Sequence, residues 1–183
     1  MKSVSLPQVP SALDRSAELR KSPGELVKLW EGGKIIHISR QRLALEGGKL
    51  KYFKAREISK LDAQFLPGLK IFLGKLDGES FFAYCADIKS AELEKFEAGE
   101  FENYKTLREL DGQLNDFELG ICVHAQALSN WHHNHPRCSK CGDTTTPAQG
   151  GTIRICDKDG SEHFPRTDCA IIVLLRDQSD RII

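Results

Sequence analysis

Three cysteines with a regular spacing constrain this chain more than any other feature. Cys138 and Cys141 are separated by two residues and followed by Gly142, and Cys156 comes after fourteen intervening residues. A tight turn of this kind brings two thiolates within reach of one metal ion, and the glycine lets the backbone amides turn toward the sulfurs. The gap before Cys156 suits one short hairpin that returns to the first pair. The spacing therefore predicts a small β ribbon folded around zinc.

A carboxylate stands at the fourth ligand position of this ribbon. A ribbon with four cysteines would place its last ligand at position 159, where this chain has Asp159. Carboxylate oxygen is a zinc ligand, although three thiolates with one carboxylate are a less usual structural set than four thiolates. The predicted zinc ligands are Cys138, Cys141, Cys156 and Asp159. Two alternatives stay open: His163 or a water as the fourth ligand, and a ribbon that folds without metal.

A redox function for the Cys138–Cys141 pair is a weaker interpretation. A thioredoxin-like pair opens a helix after a strand, whereas Gly142 and the Thr-Thr-Thr-Pro run at 144–147 predict a turn and an extended segment. Six cysteines without a secretory signal at Met1 to Asp14 favour metal over disulfides, and a reducing, cytoplasmic compartment. Cys85 and Cys122 lie inside apolar patterns and are predicted to be buried thiols.

The ribbon and its flanks resemble a known family. The motifs that carry the resemblance are Trp131-His132-His133, Cys138-x2-Cys141-Gly142, Gly150-Gly151, Arg154, Cys156 and His163-Phe164-Pro165-Arg166-Thr167-Asp168. Together they look like the zinc-ribbon region of the NADH pyrophosphatase branch of the Nudix hydrolases. The match is good from Leu107 to about Leu175 and loose over the preceding residues. Two positions depart from the family pattern. Asp159 replaces the fourth cysteine, and Cys169 stands where a proline is usual.

The resemblance implies an enzyme that hydrolyses the pyrophosphate of NADH or NAD to a nicotinamide mononucleotide and AMP. Related enzymes also act on NAD-capped RNA, and the family implies a homodimer. Such enzymes use clustered glutamates to hold Mg²⁺ or Mn²⁺, which bridge phosphate oxygens and activate water. The glutamate-rich Nudix box does not occur in these 183 residues. No catalytic residue is therefore assigned, and we expect this chain by itself to be inactive.

Two residues are candidates for contact with the dinucleotide. Phe164 occupies a place where the family carries an aromatic that stacks on a base or a nicotinamide ring; the alternative is that it anchors the ribbon to the next domain. Arg108 aligns with a basic position near the family's pocket, and a guanidinium suits a phosphate; the alternative is a solvated surface charge. His132, His133 and His135 are interpreted as a solvated, cationic helix end.

The hydrophobic pattern predicts an α+β fold in three parts. Residues 1–134 are predicted to form a Nudix-like, antiparallel β-rich domain with helices, and residues 135–167 the zinc ribbon. Residues 168–183 are predicted to begin an incomplete Nudix α/β domain, with the apolar run 170–175 as its first strand. Because the sequence stops on apolar residues at the start of a further strand, we expect it to be a fragment cut inside the third part.

Paired apolar runs around glycine turns predict three hairpins in the first part. The pairs are Leu26–Trp30 with Lys34–Ile38, Leu43–Leu45 with Leu50–Phe53, and Ile71–Leu73 with Ser80–Cys85. Helices are predicted at 88–98 and 115–133, the second from an apolar stripe at three- and four-residue steps. His124 lies on that stripe and is predicted to be a half-buried residue rather than a metal ligand.

Composition argues against several classes of function. The 26 basic residues balance the 26 acidic ones, which does not suit a general polyanion binder. No apolar run of about 18 residues occurs, so we expect no transmembrane helix and no membrane partner. The alternative to an enzyme is a binding module that keeps the zinc ribbon without catalysis and contacts RNA or a protein.

Overall fold

The structure of the protein, a computed structural model, describes residues 13–63, 65–90, 94–95, 103–110, 112–166, 173, 176, 177 and 179. Within these ranges the helices are α1 (Ala17–Arg20), α2 (Pro23–Gly32), α3 (Ala55–Ile58) and α4 (Asp116–Asn134). The strands are β1 (Lys34–Ser39), β2 (Arg42–Glu46), β3 (Lys49–Leu50), β4 (Leu69–Leu76), β5 (Glu79–Cys85), β6 (Tyr104–Thr106), β7 (Thr145–Ala148), β8 (Ile153–Cys156) and β9 (Glu162–His163). Short 3₁₀ turns follow at Ser59–Ala63 and Gln149–Gly151. The predicted helix at 88–98 and the predicted strand at 170–175 lie largely outside the described residues.

The strands form two sheets, which confirms the α+β class. The larger sheet has the order β3-β2-β1-β5-β4, with β6 also paired to β2, and the smaller sheet has the order β7-β8-β9. Every pairing between these strands is antiparallel except that of β1 with β5, which is parallel from Lys34↔Phe81 to Ile38↔Cys85. The predicted antiparallel β-rich domain is confirmed, and this pair is its parallel exception. Both strands are buried on both faces, the environment in which parallel pairing is usual.

The large sheet is covered on its two faces by different helices. Because side chains alternate along a strand, Ile36 and Ile38 of β1 point to one face, where they join the core cluster that contains Ile121 and Leu128 of α4. Ile35 points to the other face, in the cluster that contains Trp30 of α2. The central strands therefore have apolar residues at almost every position.

The segment Leu26–Trp30 is a helix, and the strand predicted there is wrong. α2 begins with Pro23 at its first position, where the missing N–H of proline carries no penalty. Leu26, Leu29 and Trp30 are spaced by three and four residues, and all three belong to the core cluster beneath α2. Val27, between them, is 64% exposed. Because Val27 is also apolar, the five residues read as a continuous apolar run, and their helical spacing did not stand out in the sequence.

The long helix α4 has the predicted position and is fixed at its start by a capping box. The Glu118 N–H donates to Asn115 Oδ1 at 2.9 Å, and Asn115 N–H donates to the Glu118 carboxylate at 3.4 Å. Cys122 on its inner face is fully buried, and burial raises the pKa of that thiol to about 12. His124 is half-buried, as predicted. Within the described ranges, none of the helices combines the length and apolar character needed to cross a bilayer.

His37 is a buried histidine in the middle of the large sheet. Its Nδ1 lies 2.7 Å from the Tyr104 hydroxyl, while its Nε2 is buried without a hydrogen-bond partner. The rings of Phe65 and Tyr84 lie 4.6 Å and 5.7 Å from the imidazole. Burial in this aromatic environment lowers the pKa of His37 to about 3. The folded protein therefore holds a neutral imidazole at pH values where an unfolded chain binds a proton.

This difference in pKa predicts that His37 contributes to the acid sensitivity of the folded protein. The contribution of His37 is fully present above about pH 6.5 and is lost as pH falls toward 3, because only the unfolded chain gains the proton. Between pH 7 and pH 5, the unfolding free energy of the parent should fall by roughly 2 kcal/mol more than that of His37→Gln, whose side chain cannot ionise. Urea unfolding at several pH values measures this, with His133→Gln at an exposed position as the control. Parallel pH profiles for parent and His37→Gln would contradict it.

Candidate metal centre

The ribbon holds its four predicted ligands in two turns of the same construction. The Gly142 N–H donates to Cys138 O at 3.0 Å, and the Gly160 N–H donates to Cys156 O at 3.1 Å. Both glycines have positive φ values, 77° and 70°, which favour glycine because it has no Cβ. In each turn, a predicted ligand is followed by two other residues, a second predicted ligand and then the glycine. The second turn repeats the first with an aspartate in place of the second cysteine.

Backbone N–H groups point at the first sulfur of each turn. Lys140 N–H donates to Cys138 Sγ and Asp159 N–H donates to Cys156 Sγ, each at 3.4 Å. Amide donors of this kind stabilise a thiolate and orient it toward a metal. The strands bring the two turns together, because β7 pairs with β8 from Thr145↔Cys156 to Ala148↔Ile153. Cys156 therefore lies beside the first turn, as the spacing predicted.

The four ligand atoms form one compact group. The sulfurs of Cys138, Cys141 and Cys156 and a carboxylate oxygen of Asp159 all lie within 4.8 Å of one another. Cys141 Sγ and Cys156 Sγ are 3.5 Å apart, and Cys138 Sγ is 3.8 Å from Asp159 Oδ2. The arrangement and the donor set fit a structural zinc. His163 is not part of the group; its Nε2 lies 3.4 Å from Ser161 Oγ.

Ser161 orients the aspartate, a role that the sequence analysis missed. Its N–H and its hydroxyl both donate to Asp159 Oδ1, at 2.9 Å and 2.5 Å, which leaves Oδ2 toward Cys138. These bonds hold the pKa of Asp159 well below its usual range, so the group is a carboxylate at neutral pH. A hydrogen bond with Ser161 is also the main reason that the pKa of Cys138 falls to about 6. The Asp-Gly-Ser sequence at 159–161, a common turn in which an aspartate accepts from the residue two positions on, was the available signal.

A buried arginine and a buried histidine join the ribbon to α4. Arg154 donates from Nε to Thr145 Oγ1 at 2.6 Å and from Nη2 to Thr145 O at 2.5 Å. Its Nη1 lies 2.9 Å from His132 Nδ1, and His132 Nε2 lies 2.7 Å from Gly151 O. Burial lowers the pKa of His132, so a neutral ring that donates from Nε2 and accepts at Nδ1 satisfies both contacts. The prediction of a solvated His132 is wrong, whereas His133 and His135 are exposed as predicted.

The glycine pair between β7 and β8 lets the ribbon approach the large sheet. A Cβ added at Gly151 would lie 3.2 Å from Ile71 Cα and 3.2 Å from Lys70 O, both in the backbone of β4. A Cβ added at Gly150 would lie 3.1 Å from Phe72 Cβ. Both glycines also have positive φ. The 3₁₀ turn therefore packs on β4 at a distance that only glycine allows.

The two residues predicted to contact a dinucleotide, Arg108 and Phe164, are not members of the metal-ligand group. Arg108 is exposed in the turn after β6, and it lines a cavity of about 360 Å³ with Gln41, Thr106, Leu107 and Gln126. Phe164 is 60% exposed, immediately after β9. Phe164 does not belong to the described lining of that cavity. The structure leaves both roles as predictions.

Comparison with known proteins assigns both parts of the fold. Residues 32–131 match the NADH pyrophosphatase-like rudimentary Nudix domain, which is more than half of the chain. The chain belongs to the NADH pyrophosphatase-like Nudix family. Residues 133–164 match the NADH pyrophosphatase zinc ribbon domain, which includes all four residues of the metal centre. The resemblance inferred from the ribbon motifs is confirmed.

Relatives of this family member occur in bacteria and in mitochondria. The chain is 29% identical over 172 residues to the NAD-capped RNA hydrolase NudC of Mycobacterium tuberculosis, a match that covers 93% of this chain and 52% of the relative. It is 30% identical over 99 residues to the human mitochondrial NAD(P)H pyrophosphatase NUDT13, which covers 54% of this chain and 27% of the relative. The chain spans about half the length of the mycobacterial relative.

The contacts between the ribbon and α4 predict that a substitution outside the ligand group also lowers the stability of the protein. Arg154→Met keeps most of the side-chain volume but leaves Thr145 O and His132 Nδ1 without their donor. We expect the variant to lose about 2 kcal/mol of unfolding free energy, since each buried group left unpaired costs about 1–3 kcal/mol. Urea unfolding with excess zinc measures the loss. Lys158→Met, which removes an exposed charge from the same ribbon, is the control, and equal stability of the two variants would refute the prediction.

Proposed function

We propose that this chain is the N-terminal and zinc-ribbon part of a NAD(H) diphosphatase of the Nudix type. Such an enzyme hydrolyses the pyrophosphate of NADH or NAD to a nicotinamide mononucleotide and AMP. The main support is the four-ligand group within 4.8 Å, inside a segment that matches the family's zinc ribbon and directly after its rudimentary Nudix domain. The relatives, an NAD-capped RNA hydrolase and an NAD(P)H pyrophosphatase, have names that agree with that substrate class.

The metal centre is proposed to be structural. Cys138, Cys141, Cys156 and Asp159 are the proposed ligands, which leave no open position for a substrate on a four-coordinate zinc. Zinc binding would then add to folding stability, because the ligands come together only in the folded ribbon. Through β8 and Arg154, the ribbon in turn holds the end of α4. The metal would thus fix the relative position of ribbon and sheet.

Catalysis is proposed to require residues that this sequence does not contain. Mg²⁺ or Mn²⁺, held by the glutamates of a Nudix box, would supply the polarisation of the pyrophosphate and the activated water. The proposed division is 1–134 for the β-rich domain, 135–167 for the ribbon and 168–183 for the start of the Nudix hydrolase domain. We further propose a cytoplasmic homodimer, with NAD-capped RNA as a second substrate.

Arg108 and Phe164 are the proposed contributions of this chain to dinucleotide binding. Arg108 is exposed at the edge of a cavity of about 360 Å³, where its guanidinium is available to a phosphate. Phe164 presents an aromatic face that is 60% exposed and can stack on a base or a nicotinamide ring. Both residues would act by binding and orienting the substrate rather than by transferring protons.

A zinc-ribbon binding module without catalysis is the second candidate function. The observation that favours it is the missing Nudix box within the 183 residues. The reading frame after the codon for Ile183 distinguishes the two functions. An in-frame Nudix box supports the enzyme, and a stop codon at that point supports the module.

The metal assignment predicts about one zinc per chain in purified protein. Asp159→Ala removes the fourth ligand, and we expect its zinc affinity to fall by at least about 100-fold, more than is usual for residues outside the coordination sphere. Asp159→Cys restores a four-thiolate site, and its affinity should exceed that of the parent. Elemental analysis and competition with a chelating dye measure both effects.

The matched control for the metal assignment is Glu162→Ala. It removes a neighbouring exposed carboxylate that is not part of the ligand group. Parent protein without zinc, or equal zinc affinity for Asp159→Ala and Glu162→Ala, would show that Asp159 is not a ligand.

The missing glutamates predict that the 183-residue chain does not hydrolyse NADH. Incubation with NADH and Mg²⁺ or Mn²⁺ should release no AMP above the rate of the buffer, as followed by chromatography. The mycobacterial NAD-capped RNA hydrolase, assayed on NAD-capped RNA in parallel, is the positive control. Metal-dependent AMP release by the chain would show that catalytic carboxylates lie within its 183 residues.

A further inference from the structure

Another cavity lies where the large sheet, α4 and the ribbon meet, and it has a volume of about 280 Å³. Three of its lining residues form one row across the sheet, because Cys85 of β5 is paired with Leu69 of β4 and with Ile38 of β1. Residues of α4 and of the ribbon line another part of it: Ser129, His132, His133, Pro147 and Arg154. Clefts between the parts of a fold are a usual location of small-molecule sites.

Arg154 brings a buried positive charge to this cavity. It is 8% exposed, and its three hydrogen-bond acceptors, two on Thr145 and one on His132, are uncharged. Burial lowers the pKa of Arg154, and the charge of Asp157 opposes that shift. The Asp157 carboxylate itself accepts from two threonine hydroxyls of the ribbon, at 2.7 Å and 2.6 Å. Between the residues that the structure describes, no ion pair includes Arg154, and a buried charge without a counter-ion is costly.

The guanidinium of Arg154 keeps two N–H groups for a ligand. An arginine has five such donors, one on Nε and two on each of Nη1 and Nη2. The contacts with Thr145 and His132 use one donor of each nitrogen, so Nη1 and Nη2 each retain one. Two donors on one planar group suit the two oxygens of a carboxylate. Because the existing contacts already hold the side chain, little further freedom is lost when a ligand binds.

The rest of the lining favours an anion of single charge with an apolar body. Arg40 and Asp87, both exposed, carry opposite charges in the lining, so the charge of Arg154 is the one left to balance. Leu66 and Leu69 supply apolar contact, and Leu66 is 47% exposed. A volume of about 280 Å³ equals that of roughly nine waters in the liquid. These properties together suit an organic acid of about the size of phenylacetate.

We propose that this cavity binds a small organic acid, a monocarboxylate with an apolar body, through Arg154. The carboxylate accepts from Nη1 and Nη2 and offsets the buried charge, while the apolar body lies against Leu66 and Leu69. His132 acts as a positioning residue, since it holds Nη1 at 2.9 Å. None of these residues is a predicted metal ligand or a predicted contact of the dinucleotide. The site therefore goes beyond the proposed hydrolase function and is tested without it.

Titration of the zinc-loaded 183-residue protein with sodium phenylacetate tests the site, at an ionic strength kept constant with sodium chloride. We expect a saturable rise in the melting temperature and saturable shifts of the His132 and His133 ring resonances in NMR spectra. Phenylacetamide has nearly the same shape without the charge. It should bind at least about tenfold more weakly, because it loses a charge-assisted hydrogen bond to the guanidinium. Inorganic phosphate should not displace phenylacetate.

Substitution of the arginine tests the paired donors. Arg154→Lys keeps the charge but not the planar pair of N–H groups, and it should weaken phenylacetate binding at least about tenfold. Because Arg154 also joins the ribbon to α4, two exposed positions test the site without disturbing that junction. Leu66→Asp removes apolar contact and adds a like charge, so it should weaken binding about tenfold. Asp87→Asn removes a like charge and should strengthen binding about twofold.

Asp116→Asn is the matched control for Asp87→Asn. It removes an exposed carboxylate from the first turn of α4, at the other end of the helix from His132 and His133, and should leave binding unchanged. Four results would each overturn the proposal: a response of the parent that does not saturate, equal binding of phenylacetate and phenylacetamide, displacement by phosphate, or equal affinities of the Leu66→Asp, Asp87→Asn and Asp116→Asn variants.

Discussion

The contact of Arg154 with His132 is the interaction on which the arrangement of the two parts depends. Arg154 belongs to the central strand of the ribbon and His132 to the last turn of α4, and their nitrogens lie 2.9 Å apart. The arginine places its positive charge in a buried position where its partners are uncharged acceptors, two from Thr145 and one from the imidazole. Such a contact requires a neutral histidine with its proton on the far nitrogen. Gly151 O, which accepts at 2.7 Å, fixes that proton.

The same junction explains why several unrelated features of the sequence belong together. The glycine pair at 150–151 is needed because the backbone of β4 approaches this 3₁₀ turn closely. The same turn supplies the carbonyl oxygen that accepts from His132. Arg154 lies two residues before Cys156, so the strand that positions the arginine also positions a proposed metal ligand. The same strand, β8, therefore positions part of the metal centre and also holds the ribbon against α4.

The parts of the structure that were predictable are those determined by local chemistry. Cys138-x2-Cys141-Gly142 specifies a turn wherever it occurs, and Phe117 to Trp131 shows a helical period over several turns. The parallel contact of β1 with β5 joins residues more than forty positions apart, and no local pattern contains that information. The prediction of a solvated His132 was wrong for a similar reason, because the burial of His132 depends on a ribbon that comes later in the chain. Leu26–Trp30 was too short for its helical period to outweigh its apolar composition.

Asp159, the proposed fourth ligand, shows how a ligand can change type while the turn around it is kept. A carboxylate oxygen lies one covalent bond farther from the backbone than a cysteine sulfur, yet its bond to zinc is shorter by about 0.2 Å. An aspartate in a cysteine position therefore overshoots unless its side chain is turned aside and held. The two bonds from Ser161 to Oδ1 do this, and they leave Oδ2 at 3.8 Å from Cys138 Sγ. Gly160 keeps the positive φ of the turn, so the backbone repeats that of the first turn although the ligand differs.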